Sequence, residues 1–213
     1  MATKNILAEL IAQYQAASAP PRAVAAESAG GVDVAKRVQA GEAVDIVVLA
    51  ANAIDQLIAD GKLVPGSRVD LVKSGVAIAV PAGAPQPDIA SENAVKQAVL
   101  AAKTLSYSTG PSGVYLVKLF ERWGILDAIK PRIVQAPPGI PVGSLVASGQ
   151  VDLGFQQLSE LISLAGIAVV GPLPPEIQTI TTFSAGISVG SKQADAAGAL
   201  IAFMAAPDRK SVV

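Results

Sequence analysis

Residues 106–113, SYSTGPSG, set four aliphatic hydroxyls, two glycines and a proline directly before the amphipathic run VYLVKLFERWG. Small hydrogen-bonding residues where a strand hands over to a helix suit anion binding. The first turn of a helix has N–H groups without intrahelical partners and carries the positive end of the dipole. The same residues also fit an architectural reading, in which Ser108, Thr109 and Ser112 cap the helix while Gly110 and Gly113 shape the turn. One such loop does not separate the two readings, but companions elsewhere in the chain do.

Four further junctions are built alike. Gly30 and Gly31 open AGGVDVAKRVQAG, Ala51 and Asn52 follow DIVVLA, Gly139 precedes a helix in APPGIPVGSLVASG, and Gln156 and Gln157 close a strand in LGFQQLSEL. Five turns of small or amide residues, divided between the two halves of the chain, favour the anion site over simple capping.

Other chemistry is restricted by what the chain lacks. It contains no histidine and no cysteine, so a Ser-His-Asp triad, a thiolate nucleophile, a disulfide and the usual zinc ligands are excluded. Carboxylate, lysine, tyrosine and serine chemistry remain. The phosphate-loop pattern, the G-x-S-x-G elbow and the S-x-x-K pair are all absent. Glu27, Asp45, Asp88, Asp152 and Glu160 lie near turns, where caps and strand ends account for most carboxylates. No catalytic residue, metal or cofactor is assigned.

These turns need a scaffold that repeats strand and helix. The 213 residues are 51% hydrophobic, 15% charged and 4% aromatic, with a net charge of -1. That balance fits an α/β protein with a sizeable core and lacks the basic field that nucleic acid demands. No run of 18 or more apolar residues marks a membrane span. The first residues, MATKNILAELIAQYQAASAPP, read as an amphipathic helix rather than a secretory leader, which places the chain as given in the cytoplasm.

Strands are predicted at 22–28, 45–50, 75–81, 104–108, 132–137, 151–155, 167–173 and 180–189. Helices are predicted between them at 32–40, 52–60, 91–102, 113–123, 141–148, 157–164 and 192–205. Such alternation implies mainly parallel sheets with helices on both faces and a ligand at the carboxyl ends of the strands. Proline-rich stretches near 80–90 and 172–185 are the expected crossings. They leave residues 1–80 with 180–213 in one lobe and 81–179 in the other.

At these junctions the chain resembles the molybdate-binding-protein branch of the type II periplasmic solute-binding proteins. The resemblance is carried by AKRVQAGEAVDIVVLAANAIDQLIADGKLVPGSR, GVAIAVPAGAP, TGPSGVYLVKLFERWGI and VASGQVDLGF, which together run through nearly the whole sequence. It implies two α/β lobes closing on a small oxyanion held by neutral donors, with contacts at Gly31, Ala51, Ser112, Ile140 and Gln157, and Gly30, Asn52, Gly113 and Gly139 beside them. It also implies an ABC-type membrane component as partner. A first strand ahead of the present start and a helical tail after the present end are implied too, in which case an upstream leader would place the protein in the periplasm.

Two departures from the branch bear on the ligand. SAGGV stands where molybdate binders have a serine-rich turn, and Gln157 replaces a tyrosine common near the last contact. Fewer hydroxyls and an added amide suit the planar oxygens of a small carboxylate. The expected function is therefore capture of a small oxyanion or carboxylate for transport, without catalysis. The alternatives are an isomerase- or lyase-like enzyme on the same scaffold, using a carboxylate or Tyr107 for proton transfer, and a cytosolic ligand sensor.

Overall fold

The computed structural model describes residues 2–18, 23–137 and 139–206. In chain order the regular elements are α1 (Lys4–Ala17), α2 (Gly31–Gln39), β1 (Ile46–Ala50), α3 (Ala51–Ala59), β2 (Val69–Pro81), α4 (Glu92–Ala101) and β3 (Leu105–Tyr107). There follow α5 (Pro111–Arg122), α6 (Leu126–Ile129), α7 (Val142–Ala147), β4 (Leu153–Gln157), α8 (Leu158–Leu161), β5 (Ile167–Pro172), β6 (Ile180–Ile187) and α9 (Ala194–Met204). The described residues of 1–73 and 182–213 form one compact unit and those of 74–181 another. The chain therefore leaves the first unit within β2 and re-enters it within β6.

In the first unit β1 pairs antiparallel with β6, from Ile46 opposite Ile187 to Ala50 opposite Phe183. The apolar residues of α1 recur at helical spacing, so Leu10 and Tyr14 fall on one face and pack with Leu71, Leu200, Ile201 and Met204. The Tyr14 ring meets Phe203 edge-on at 5.1 Å. Val38 of α2, Val47 and Leu49 of β1, Ile54 and Leu57 of α3 and Leu63 make a second cluster.

The strand predicted at 22–28 is absent from its described part, because residues 23–30 take no regular structure. Most of this segment is exposed, and Val24 is its apolar residue that packs on the cluster of Leu10, Tyr14 and Leu71. Glu27 fixes it instead, accepting from Arg37 at 2.6 and 2.9 Å.

In the second unit β4 and β5 both pair antiparallel with β2, while β3 runs parallel to β4. Mainly parallel pairing is thus corrected. Among the described residues the parallel ladder is β3 with β4, because β2 and β6, which carry the chain between units, run against their partners. The predicted strand at 132–137 reduces to one bridge between Ile133 and Leu105. The Val134 N–H donates to the Leu105 carbonyl at 2.8 Å, and Pro137 ends the run with no N–H to give.

The core of this unit centres on Phe120, whose ring meets Tyr107, Trp123 and Phe155 at 5.8 to 6.0 Å. Val95 and Val99 of α4 and Leu116 and Leu119 of α5 close it. Ser91 starts α4 by accepting from the N–H of Ala94 at 3.2 Å, an ordinary N-cap.

Candidate ligand-binding site

The parallel register of β3 and β4, with Tyr107 opposite Phe155, brings the carboxyl ends of both strands to one edge. The turn after Tyr107 and the pair Gln156–Gln157 that ends β4 are thus at that edge, the end of the strands at which ligands of α/β sheets are bound. Helix α5 begins with Gly110 as N-cap and Pro111 in its first turn, and no side chain caps it. The architectural reading of Ser108, Thr109 and Ser112 as caps is therefore corrected: proline presets the first turn, and the backbone donors behind it are left without a side-chain acceptor.

Ser108 Oγ and Ser112 Oγ lie 2.9 Å apart. One hydroxyl donates to the other, and the second proton of the pair stays available to a further acceptor. Ser112 is only 2% exposed and Ser108 is half-buried. Thr109 is exposed. Gly113 is buried, and a Cβ there would run into the Ser108 carbonyl, so its place is set by the docking of α5 on the end of β3.

The two glutamines differ in a way their adjacency hides. Gln156 Oε1 accepts from the N–H of Gly143 in the first turn of α7 at 3.0 Å. Its Nε2 donates to Glu160 Oε2, so both ends of the amide are engaged with the protein. Gln157 Nε2 donates to Thr181 Oγ1 at 2.8 Å, while its Oε1 is buried without a partner. Burial raises the pKa of Glu160 above the usual carboxylate range, with the bond from Gln156 opposing that shift. Burial also raises the Tyr107 phenol.

At the third turn of this unit, Gly139 holds φ of +78°, a left-handed conformation that its lack of a Cβ permits. The N–H of Ile140 donates to the Pro137 carbonyl at 3.0 Å, so that amide serves the turn, and Ile140 is 46% exposed.

The candidates of the first unit form a set of their own. Helix α2 starts after Gly30, again without a side-chain cap, and carries Asp33 in its first turn. A Cβ on Gly30 would come within 3.1 Å of Asp33 Oδ2, so this carboxylate stands beside the helix start and offsets its dipole. At Gly31 a Cβ would meet Leu49 at an ordinary 3.6 Å, and packing does not demand the glycine. Ala51 begins α3, whose first turn has no acidic residue, and Asn52 is exposed there.

Among the described residues no group of three or more histidine, cysteine, aspartate or glutamate side chains is placed to hold a metal ion, and no helix is long and apolar enough to cross a membrane. Sequence reasoning passed over Thr181 and the Gln156–Glu160 contact. The first lies 24 residues from its partner. The second had a trace in the four-residue spacing across a strand-to-helix turn.

Two α/β units, one built from two separate chain segments and the other inserted between them in sequence, with small-residue turns at strand ends, define the type II periplasmic-binding-protein fold. The chain belongs to the bacterial extracellular solute-binding protein family, whose model matches residues 1–213. The structure is similar to that of the periplasmic molybdate-binding protein of Azotobacter vinelandii, with a TM-score of 0.78 and 22% identity over 97% of this chain and 90% of that one. It is also similar to the ferric binding protein of Campylobacter jejuni, with a TM-score of 0.68 and 14% identity over 96% and 79% of the two chains. A curated relative from a Pseudomonas species, named aconitate isomerase, is 39% identical over 183 residues, which are 84% of this chain and 69% of that protein. Neighbours of one fold thus carry names pointing to a metalate, a ferric ion and an organic acid, and the ligand of this chain has to be argued from its own residues.

Proposed function

We propose that this solute-binding scaffold takes a small carboxylate anion, with the donors of the second unit as its principal contacts. The observation that carries the reading is the uncapped start of α5 with the Ser108–Ser112 hydroxyl pair, at the same strand edge as the buried Gln157 amide, whose oxygen is unpaired. Neutral N–H and O–H donors suit a carboxylate whose charge is spread over two oxygens, and a helix start adds a favourable dipole. The name of the Pseudomonas relative supports an unsaturated tricarboxylate as the first ligand to try. In this reading the protein delivers its ligand to the membrane component of an ABC-type uptake system.

The test is native mass spectrometry of the small molecule that leaves with the purified protein, followed by calorimetric titration of that molecule. A released carboxylate that rebinds supports the proposal. A bound metalate or ferric ion would overturn it.

The same relative favours one second reading, turnover of the bound acid. Isomerising an unsaturated polycarboxylate by proton shift needs a group that removes a proton from one carbon and a group that returns one to another. Glu160, whose raised pKa keeps it nearer to proton exchange at neutral pH, and the Tyr107 phenol are the candidates. Proton magnetic resonance of cis- and trans-aconitate incubated with the protein in D2O decides this: interconversion with deuterium uptake supports turnover, and unchanged spectra under saturating ligand leave binding alone.

A further inference from the structure

The two glutamines that end β4 invite the question of why one is fully satisfied and the other is not. Gln156 is held at both ends, by Gly143 and by Glu160, and its amide has no freedom to turn. Gln157 is 4% exposed, is held at one end alone by Thr181, and keeps a buried oxygen without a donor. A buried polar atom left unpaired is destabilising, and native proteins rarely keep one without use.

We propose that Thr181 is a positioning residue for ligand recognition, holding Gln157 so that the unpaired half of its amide meets the ligand. The proposal rests on the carboxylate-binding reading above and names a residue that reading does not include. The chemistry of the pair supports it. A threonine hydroxyl both donates and accepts, so it satisfies whichever half of the amide faces it. Rotation about the last side-chain torsion, which is broad and roughly two-fold, exchanges oxygen and nitrogen without displacing other atoms. With Oε1 turned to Thr181, the NH2 group takes the unpaired position and donates to a carboxylate oxygen. In the orientation with Nε2 on Thr181, the free Oε1 accepts from a hydroxyl or a protonated carboxyl. The second orientation favours polycarboxylates that carry a hydroxyl or a protonated carboxyl over a fully ionised metalate, which has no proton to give.

The experiment titrates the full chain and its variants with cis-aconitate, trans-aconitate, citrate and molybdate, and records ligand-free melting on the same samples. We expect the wild type to bind at least one of the three organic acids, and Thr181→Val, which removes the hydroxyl at constant shape, to weaken that binding about tenfold. Thr181→Ser should restore it to within about threefold, and Gln157→Glu should abolish it through like-charge repulsion. The side-chain NH2 resonances of Gln157 in the wild type should move on addition of the acid, a readout that does not depend on the variants folding. Equal affinity of Thr181→Val and wild type, or unmoved Gln157 resonances in the complex, would overturn the positioning role while leaving carboxylate binding intact. Binding of molybdate alone would overturn both.

Discussion

Gly113 lies so close to the Ser108 carbonyl that a Cβ built on it would stand 1.5 Å from the oxygen and 3.3 Å from the Tyr107 ring. Helix α5 therefore docks against the end of β3 through a bare backbone, and the glycine belongs to the fold before it belongs to any ligand. Gly113→Ala is expected to lower ligand-free stability by about 3 kcal/mol, at the upper end of overpacking effects, since the obstructing atom is backbone. Urea denaturation of the ligand-free protein measures it; wild-type stability in the variant would mean that the turn relaxes freely.

Ser112→Ala tests the neighbouring position without that clash. No side chain caps α5, so loss of the hydroxyl removes the bond to Ser108 but no cap, and ligand-free stability should change by about 1 kcal/mol or less. Affinity for the bound carboxylate should fall by about 1 to 3 kcal/mol, the range for a hydrogen bond to a charged group. Paired melting and titration curves separate these effects. A stability loss with unchanged affinity would remove the hydroxyl pair from the site.

Much of the scaffold was legible because it rests on local pattern. The spacing of Val95 with Val99 and of Leu116 with Phe120 announces helices, and IVVLA at 46–50 announces a buried strand. Pairing direction was less legible. Alternation predicts parallel ladders, yet β2 and β6 are shared between units and reverse their neighbours, a property of chain routing that periodicity does not encode. The apolar content of RAVAAES likewise suggested a strand, but a strand also needs a partner edge, and Glu27 binds Arg37 instead. Within the candidate site, the turns were visible as runs of small residues. Gln156 and Gln157 looked equivalent, and their division into a satisfied and an unsatisfied amide depends on Gly143 and Thr181, 13 and 24 residues away.

A thermal-shift panel of molybdate, tungstate, sulfate, phosphate and small mono-, di- and tricarboxylates checks ligand class. At one hundred times its dissociation constant the true ligand adds about 2.7 kcal/mol of stability. At least one carboxylate is expected to stabilise. Response to molybdate and tungstate alone would refute the weight placed on Gly31 and Gln157.

Glu160 supplies a prediction whose sign depends on where its proton prefers to be. Burial disfavours its charged form and lifts its pKa above the ordinary 4.5, against the opposing bond from Gln156. The folded protein thus holds this proton more tightly than the unfolded chain does. The resulting stabilisation is complete below the unfolded value and is lost as pH rises through the folded one. Wild-type stability should therefore carry a component that declines from about pH 4.5 upward. The exposed carboxylates Glu27, Glu42 and Glu92 have lowered values, chiefly through hydrogen bonds from Arg37, Arg37 and Trp123 in turn, and contribute with the opposite slope. Glu160→Gln keeps an oxygen that can accept from Gln156 and removes the titration, so subtracting its stability curve from that of the wild type isolates the one group. The difference should favour the variant increasingly as pH rises and flatten once Glu160 is fully ionised in both states. A difference independent of pH would mean that the carboxyl titrates alike folded and unfolded, and would withdraw Glu160 as the proton carrier of the isomerase reading.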